Sequence, residues 1–254
     1  MNSNLLKIIL SFSILYFLTI TSAQSAELKY TFGSIKTGYA NWDMGAVDTD
    51  RGDLWKLVGD FGAVFDKGEL YSFYEYNKFD HDVDNRNVSF MASGHYRLSD
   101  SDFTLFGKLY ANLDNQWGDE LNTMIGMGYL GFQNSNYFFK PFISIHELSS
   151  DYQSTVTGSS ANGFNGYVLG WNSAFFFKVS EYNFTLSNWN EFEIGRNDTY
   201  SEQQYGSFGI NGGLTLNWKM NKSMSLGVTY RYFQNKLSYE GYGDQMIFLF
   251  GYHF

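Results

Sequence analysis

The sequence ends "MIFLFGYHF", Met246 to Phe254. Counted back from the terminus, every second residue is large and apolar: Phe254, Tyr252, Phe250, Phe248 and Met246. A period of two marks a β-strand with one apolar face. A soluble domain that leaves such a strand uncovered risks edge-to-edge aggregation. The run therefore calls for surroundings in which an apolar face is stable.

Working back from that strand, segments of about ten alternating residues recur along the chain. Twelve can be counted: 28–39, 54–65, 70–79, 88–98, 103–113, 122–132, 137–148, 164–176, 182–195, 207–218, 224–236 and 244–254. Val88, Phe90, Ala92, Tyr96 and Leu98 alternate with Ser89, Ser93, His95 and Arg97; Phe208, Ile210, Leu214, Leu216 and Trp218 alternate with Asn211, Thr215 and Asn217. The connections alternate too. Short ones fall at 66–69, 99–102, 133–136, 177–181 and 219–223, and mostly longer, more polar ones at 40–53, 80–87, 114–121, 149–163, 196–206 and 237–243. Short turns on one side and long loops on the other is the asymmetry of a transmembrane antiparallel β-barrel, with short periplasmic turns and longer extracellular loops. In lipid only a closed sheet satisfies every strand's backbone, so the closing strand has no exposed edge. Trp55, Tyr71, Tyr137, Tyr182, Trp218 and Tyr252, near strand ends, are expected to form interfacial girdles. Two segments resist this reading. Glu75 shares parity with Tyr71 and Phe73, and Asn188 and Asn190 share parity with Phe184, Leu186, Phe192 and Ile194. The second conflict calls for a bulge or for a strand that rises above the membrane.

Composition agrees with alternating strands. Aromatics make up 20% of the 254 residues, with 26 Gly, one Pro and no Cys, yet mean hydropathy is only −0.30. Lys7, the apolar run Ile8–Ile20 and the small residues of "TSAQSA" form a secretory signal peptide over residues 1–26, with cleavage within Ala23–Ala26. Residues 27–254 then form the barrel, exported to the periplasm and inserted in the bacterial outer membrane. Beyond the signal no apolar run is long enough for a helical span. Without Cys there is no disulfide framework and no lipid-bearing thiol. The formal charge of −9 becomes about −10 once Lys7 is removed, which argues against a nucleic-acid polymer as partner.

Little in the chain suggests bond-making chemistry. Serine hydrolases of outer-membrane barrels place a His and a Ser close in sequence on the wall. Here His81, His95 and His146 are followed two residues on by Val83, Arg97 and Leu148, although Ser149 and Ser150 lie near His146. "DHDVDN", Asp80–Asn85, begins like a calcium loop, but its sixth position is Asn85 and its twelfth is Met91. It reads as a solvated acidic loop, and no cofactor or metal is expected. "RGD", Arg51–Asp53, needs no partner. Strand parity points Lys56, His95, Lys140 and Asn217 into the lumen, together with the candidate substrate contacts Arg97, Lys108, Tyr110, Glu191, Glu193, Asn211 and Arg231. Twelve strands fall between a barrel filled by side chains and a water-filled pore, so a selective path and a plugged lumen both stay open.

The second half resembles a known family. "GFNGYVLGWNSAFFF", "FTLSNWNEFEIGRNDTY" and the stretch from "GINGGLTLNWK" through "YRYFQNKL" to the terminal aromatic are similar to the Tsx-like nucleoside-specific channel-forming outer-membrane proteins, which include OmpK-type proteins. The first half is similar mainly in layout. The resemblance implies a monomeric barrel for passive nucleoside diffusion, aromatics stacking on the base and polar groups binding the ribose. It implies outer-membrane lipid and the outer-membrane assembly machinery as partners, with Phe254 as an assembly signal, and phage or colicin as possible users of the loops. The alternatives are a structural or receptor barrel with a plugged lumen, and an outer-membrane lipid hydrolase.

Overall fold

The computed structural model describes residues 26–47, 51–154 and 158–254; all of the expected signal peptide except Ala26 lies outside them. The strands are β1 Leu28–Asn41, β2 Leu54–Phe65, β3 Gly68–Asn77, β4 Asn87–Arg97, β5 Phe103–Asp114, β6 Glu120–Tyr129, the two-residue β7 Phe132–Gln133, β8 Tyr137–Gln153, β9 Ser160–Val179, β10 Tyr182–Ile194, β11 Phe208–Lys219, β12 Met224–Lys236 and β13 Tyr239–His253. Each of the twelve long strands pairs antiparallel with its neighbours, β6 pairs with β8, and β7 caps the start of β8. The terminal strand closes the ring: β13 pairs with β1 from Ser34↔His253 to Asn41↔Met246. Twelve residues at about 3.4 Å each, tilted about 40°, rise roughly 30 Å, enough to cross an apolar band of about 25 Å.

The apolar face of the opening run points outward. Phe248, Phe250 and Tyr252 are exposed on the wall, as are Leu214, Leu216 and Leu226 on the neighbouring strands. Phe254 continues that face. It donates its backbone N–H to Gly33 O at 3.1 Å, and its ring lies over Gly33, where a Cβ would come within 2.7 Å of it. Trp55, Tyr137, Tyr182 and Tyr252 are exposed near strand ends, and Tyr182 meets Trp218 edge-on at 5.7 Å.

Four expectations are corrected. Tyr71 is not a girdle residue. It pairs with Gly62 on the face that carries Asp60, Phe73 and Glu75, and Asp60 binds Lys36 inside the barrel. The conflict in β10 is not resolved by a bulge. The strand pairs without interruption with both neighbours, so Asn188 and Asn190 face outward within the apolar band. The expected loop 237–243 is a two-residue turn, Leu237–Ser238, both with positive φ (62° and 54°), and β13 starts at Tyr239. β8 and β9 also run past their expected ends, to Gln153 and back from Ser160, so most of 149–163 is strand.

The extracellular connections fold against the barrel. Asp53 of the RGD tripeptide accepts from Tyr39 Oη (2.6 Å), Asn41 Nδ2 (2.7 Å) and the Trp42 N–H (2.9 Å). Arg51 sits over the Trp42 ring at 5.2 Å and donates to Leu237 O. Both charged groups are thus engaged within the chain. Helix α1, Asp198–Gln203, is capped by the Asn197 side chain, which accepts from the Tyr200 N–H, and it turns Tyr200 into the barrel against Leu148 and Ala161.

Candidate functional site

Ion pairs between strands on opposite sides of the ring define the interior, because they can meet only across the lumen. Lys108 on β5 pairs with Glu191 on β10, and Lys140 on β8 with Glu69 on β3 at 2.6 Å. Phe106 on β5 stacks on Phe142 on β8 with centroids 4.1 Å apart. The registers carry these assignments round the wall. All seven candidate contacts lie on the inward face, but they do not form one site.

Arg97 sits at the periplasmic rim. Its Nη1 donates to Asp66 O at 3.0 Å and its Nε lies 3.7 Å from Asp102. Lys108 and Glu191 form a strut across the lumen. Glu193 is buried in an ionic staple: it accepts from Arg196 Nε at 2.8 Å and from Lys236 Nζ at 2.5 Å. Lys236 also donates to Tyr200 Oη at 2.6 Å, and Arg196 Nη1 to Gly206 O and Asn235 O. The staple holds the 195–207 connection inside the lumen, so Glu193 is enclosed by the chain's own groups.

Of the remaining three, Asn211 on β11 accepts from Arg231 Nη2 on β12 at 3.4 Å, and Tyr110 enters the lumen from β5. Arg231 Nε is buried without a partner. Trp189 completes this cluster. A Cβ at Gly213 would come within 2.7 Å of its Nε1, so glycine at that position lets the indole lie over the wall beside Arg231. Phe73 meets Tyr110 edge-on at 6.5 Å, and Glu75 binds Lys56 at 2.9 Å.

Trp189, Phe73, Tyr71 and Glu75 are absent from the sequence-based set of contacts. One signal was available. A glutamate in the lipid-facing band is costly, so Glu69 and Glu75 turn the odd face of β3 inward and carry Tyr71 and Phe73 with them. For Trp189 the cue was weaker, because its parity partners Glu191 and Glu193 compete with two outward asparagines.

The lumen is filled unevenly. Phe106, Met124, Phe142 and Val168 form a buried apolar cluster on the β5–β9 side. Near it His146 is held by two amides, Nε2 to Asn122 Oδ1 at 2.8 Å and Nδ1 to Asn165 Nδ2 at 3.2 Å, not by Ser149 or Ser150. Along β1–β4 and β10–β13, Tyr71, Phe73, Trp189 and Arg231 keep partial exposure, so the lumen is less tightly filled against that wall. A Ser–His contact does occur, Ser225 Oγ to His253 Nε2 at 2.7 Å, but its residues lie 28 apart in sequence. Among the described residues no carboxylate hydrogen-bonds that imidazole, so the third member of a triad is missing.

A closed antiparallel barrel with an apolar outer wall and a charged, partly filled lumen defines a porin-like channel of the outer membrane. The chain belongs to the family described as "Nucleoside-specific channel-forming protein, Tsx", whose profile matches residues 56–254. Among solved structures it is similar in fold to the NanC porin, at 11% identity and a TM-score of 0.52, over 87% of this chain and 98% of that one. The KdgM porin matches at 11% identity and a TM-score of 0.46, over 87% and 98% of the two chains. The outer membrane channel DcaP of Acinetobacter baumannii matches at 10% and 0.41, over 90% and 97%.

Proposed function

We propose that this outer-membrane channel passes nucleosides selectively and passively. The observation that carries the reading is the cluster of Trp189, Asn211 and Arg231 on the inner wall, with Tyr110 and Phe73 packed edge-on and also turned into the lumen. A flat base can stack on Trp189, and such stacking contributes about 1–3 kcal/mol whatever the base. The partly exposed Arg231 guanidinium and the Asn211 amide offer donors and an acceptor to ribose hydroxyls. The cluster mixes both roles without enclosing the solute, which suits a channel, since a bound solute must also leave. Membership in the family named for nucleoside channels supports the same reading. Further parts of the proposal are a monomer in the membrane, cleavage of the signal after export, recognition of Phe254 by the assembly machinery, and loops open to phage or colicin.

Liposome swelling with adenosine, a sugar and an amino acid of matched size tests the selectivity. Purified protein is expected to pass adenosine fastest, and Trp189→Ala to bring it down to the sugar's rate. Equal rates for adenosine and the sugar in the wild type would reduce the protein to an unspecific pore.

A further inference from the structure

The outer wall carries a polar notch that transport through the lumen does not use. Trp171 Nε1 donates to Asn188 Oδ1 at 2.6 Å, and Asn188 Nδ2 donates to Gly213 O at 3.0 Å and Tyr232 Oη at 3.1 Å. That amide is satisfied within the wall. Asn190 is different: it is 3% exposed, and its carboxamide makes no hydrogen bond among the described residues. It opens onto a cleft of about 240 Å³ walled by Trp171, Phe192, Ile210 and Tyr232, with Gln234 at one end. A Cβ at Gly212 would come 2.4 Å from Asn190 Oδ1 and 2.6 Å from the Tyr232 ring, so glycine there lets both side chains lie against the strand.

The position of the cleft limits what can fill it. Leu214, Leu216 and Val228 are exposed on its periplasmic side, and Ile194 and Phe208 on its extracellular side. It therefore lies within the apolar band, in the half nearer the long loops, where water is not available to satisfy an amide. No charged side chain lines it. Asp244, two residues beyond Tyr242 on β13, is occupied by the Ala46 and Val47 N–H groups and by Tyr230 Oη. A phosphate headgroup therefore has no counter-charge there. Two carboxamides each offer a donor and an acceptor, and aromatic and aliphatic walls suit a hydrocarbon chain.

We infer that this cleft binds an outer-leaflet lipid through an acyl chain bearing a neutral donor–acceptor group, of the kind an amide-linked hydroxyacyl glycolipid supplies. An ester-linked chain offers acceptors only and satisfies half of each carboxamide. The probes are a glycolipid with amide-linked 3-hydroxyacyl chains and phosphatidylglycerol, each added to the purified full chain in mild detergent and read by native mass spectrometry. Wild type is expected to retain the glycolipid preferentially. Asn190→Leu is expected to weaken that retention about tenfold, the worth of one hydrogen bond, with phosphatidylglycerol unchanged. Ile210→Trp fills the cleft without touching the amide and gives the same loss should Asn190→Leu fold poorly. Equal retention of the two lipids by wild type, or undiminished glycolipid on both variants, overturns the inference. So does a disulfide-linked dimer of Gln234→Cys in the membrane, since the chain has no other Cys and the occupant is then a second copy.

Discussion

Replacing Glu193 by glutamine removes the charge that holds the 195–207 connection inside the barrel. The side chains of Glu193, Arg196 and Lys236 are 3%, 0% and 11% exposed, so solvent screens the group little. Glutamine keeps the shape but leaves two buried cations without a counter-charge. Breaking a buried ion pair from one side costs about 3–5 kcal/mol. Spent on the closed position of the loop alone, that shifts its equilibrium by a factor of roughly 10² to 4 × 10³. The expected results are a higher single-channel conductance in planar bilayers and protease cleavage between Arg196 and Gly206. The double variant Glu193→Gln/Lys236→Met removes one stranded cation as well and is expected to recover part of the closed state. Conductance and protease resistance equal to wild type in Glu193→Gln would refute the staple as the restraint on the loop.

Four further outcomes are expected. Lys108→Met is expected to change conductance and ion preference without blocking assembly, because lumen substitutions tune selectivity, and planar-bilayer reversal potentials measure it. Arg231→Ala is expected to lower adenosine flux in swelling assays while leaving the heat-modifiable band on gels unchanged. Phe254→Asp, or deletion of Phe254, is expected to reduce surface levels sharply, read by outer-membrane fractionation; normal levels would count against an assembly role. Leu237→Asn with Ser238→Gly is expected to stabilise the barrel by about 1–2 kcal/mol in urea titrations, because both positions hold left-handed backbone that L residues adopt at a cost.

How much was legible depended on what each strand places inside. β4, β5 and β11 alternate apolar with polar, and their inward residues are those that parity selects. Parity says nothing about direction when both faces are aromatic, as in β3, where Tyr74 faces lipid and Tyr71 and Phe73 face the lumen. In β10 the rule pointed both ways, because Asn188 and Asn190 lie outward and Trp189 lies inward. The Leu237–Ser238 turn was hidden because neither residue is the glycine or asparagine that a two-residue hairpin favours. The inward fold of 195–207 rests on Glu193 meeting Lys236, residues 43 apart in sequence, and no local pattern announces it. Twelve segments, their alternating connections and the closing role of the last strand, by contrast, follow from period and length alone.

The seam between β1 and β13 sets the order in which this molecule can be made. Ser34 pairs with His253, roughly 220 residues further on, and every other neighbouring pair of long strands is joined by a short stretch of chain. Eleven of the twelve pairings are therefore local hairpins that can form before the two ends of the chain meet. Until the final strand arrives, the sheet has two open edges whose amides would face hydrocarbon. Pairing of the last strand with the first is thus the single step that removes both open edges at once, and it joins the two segments of the barrel that lie furthest apart in the chain.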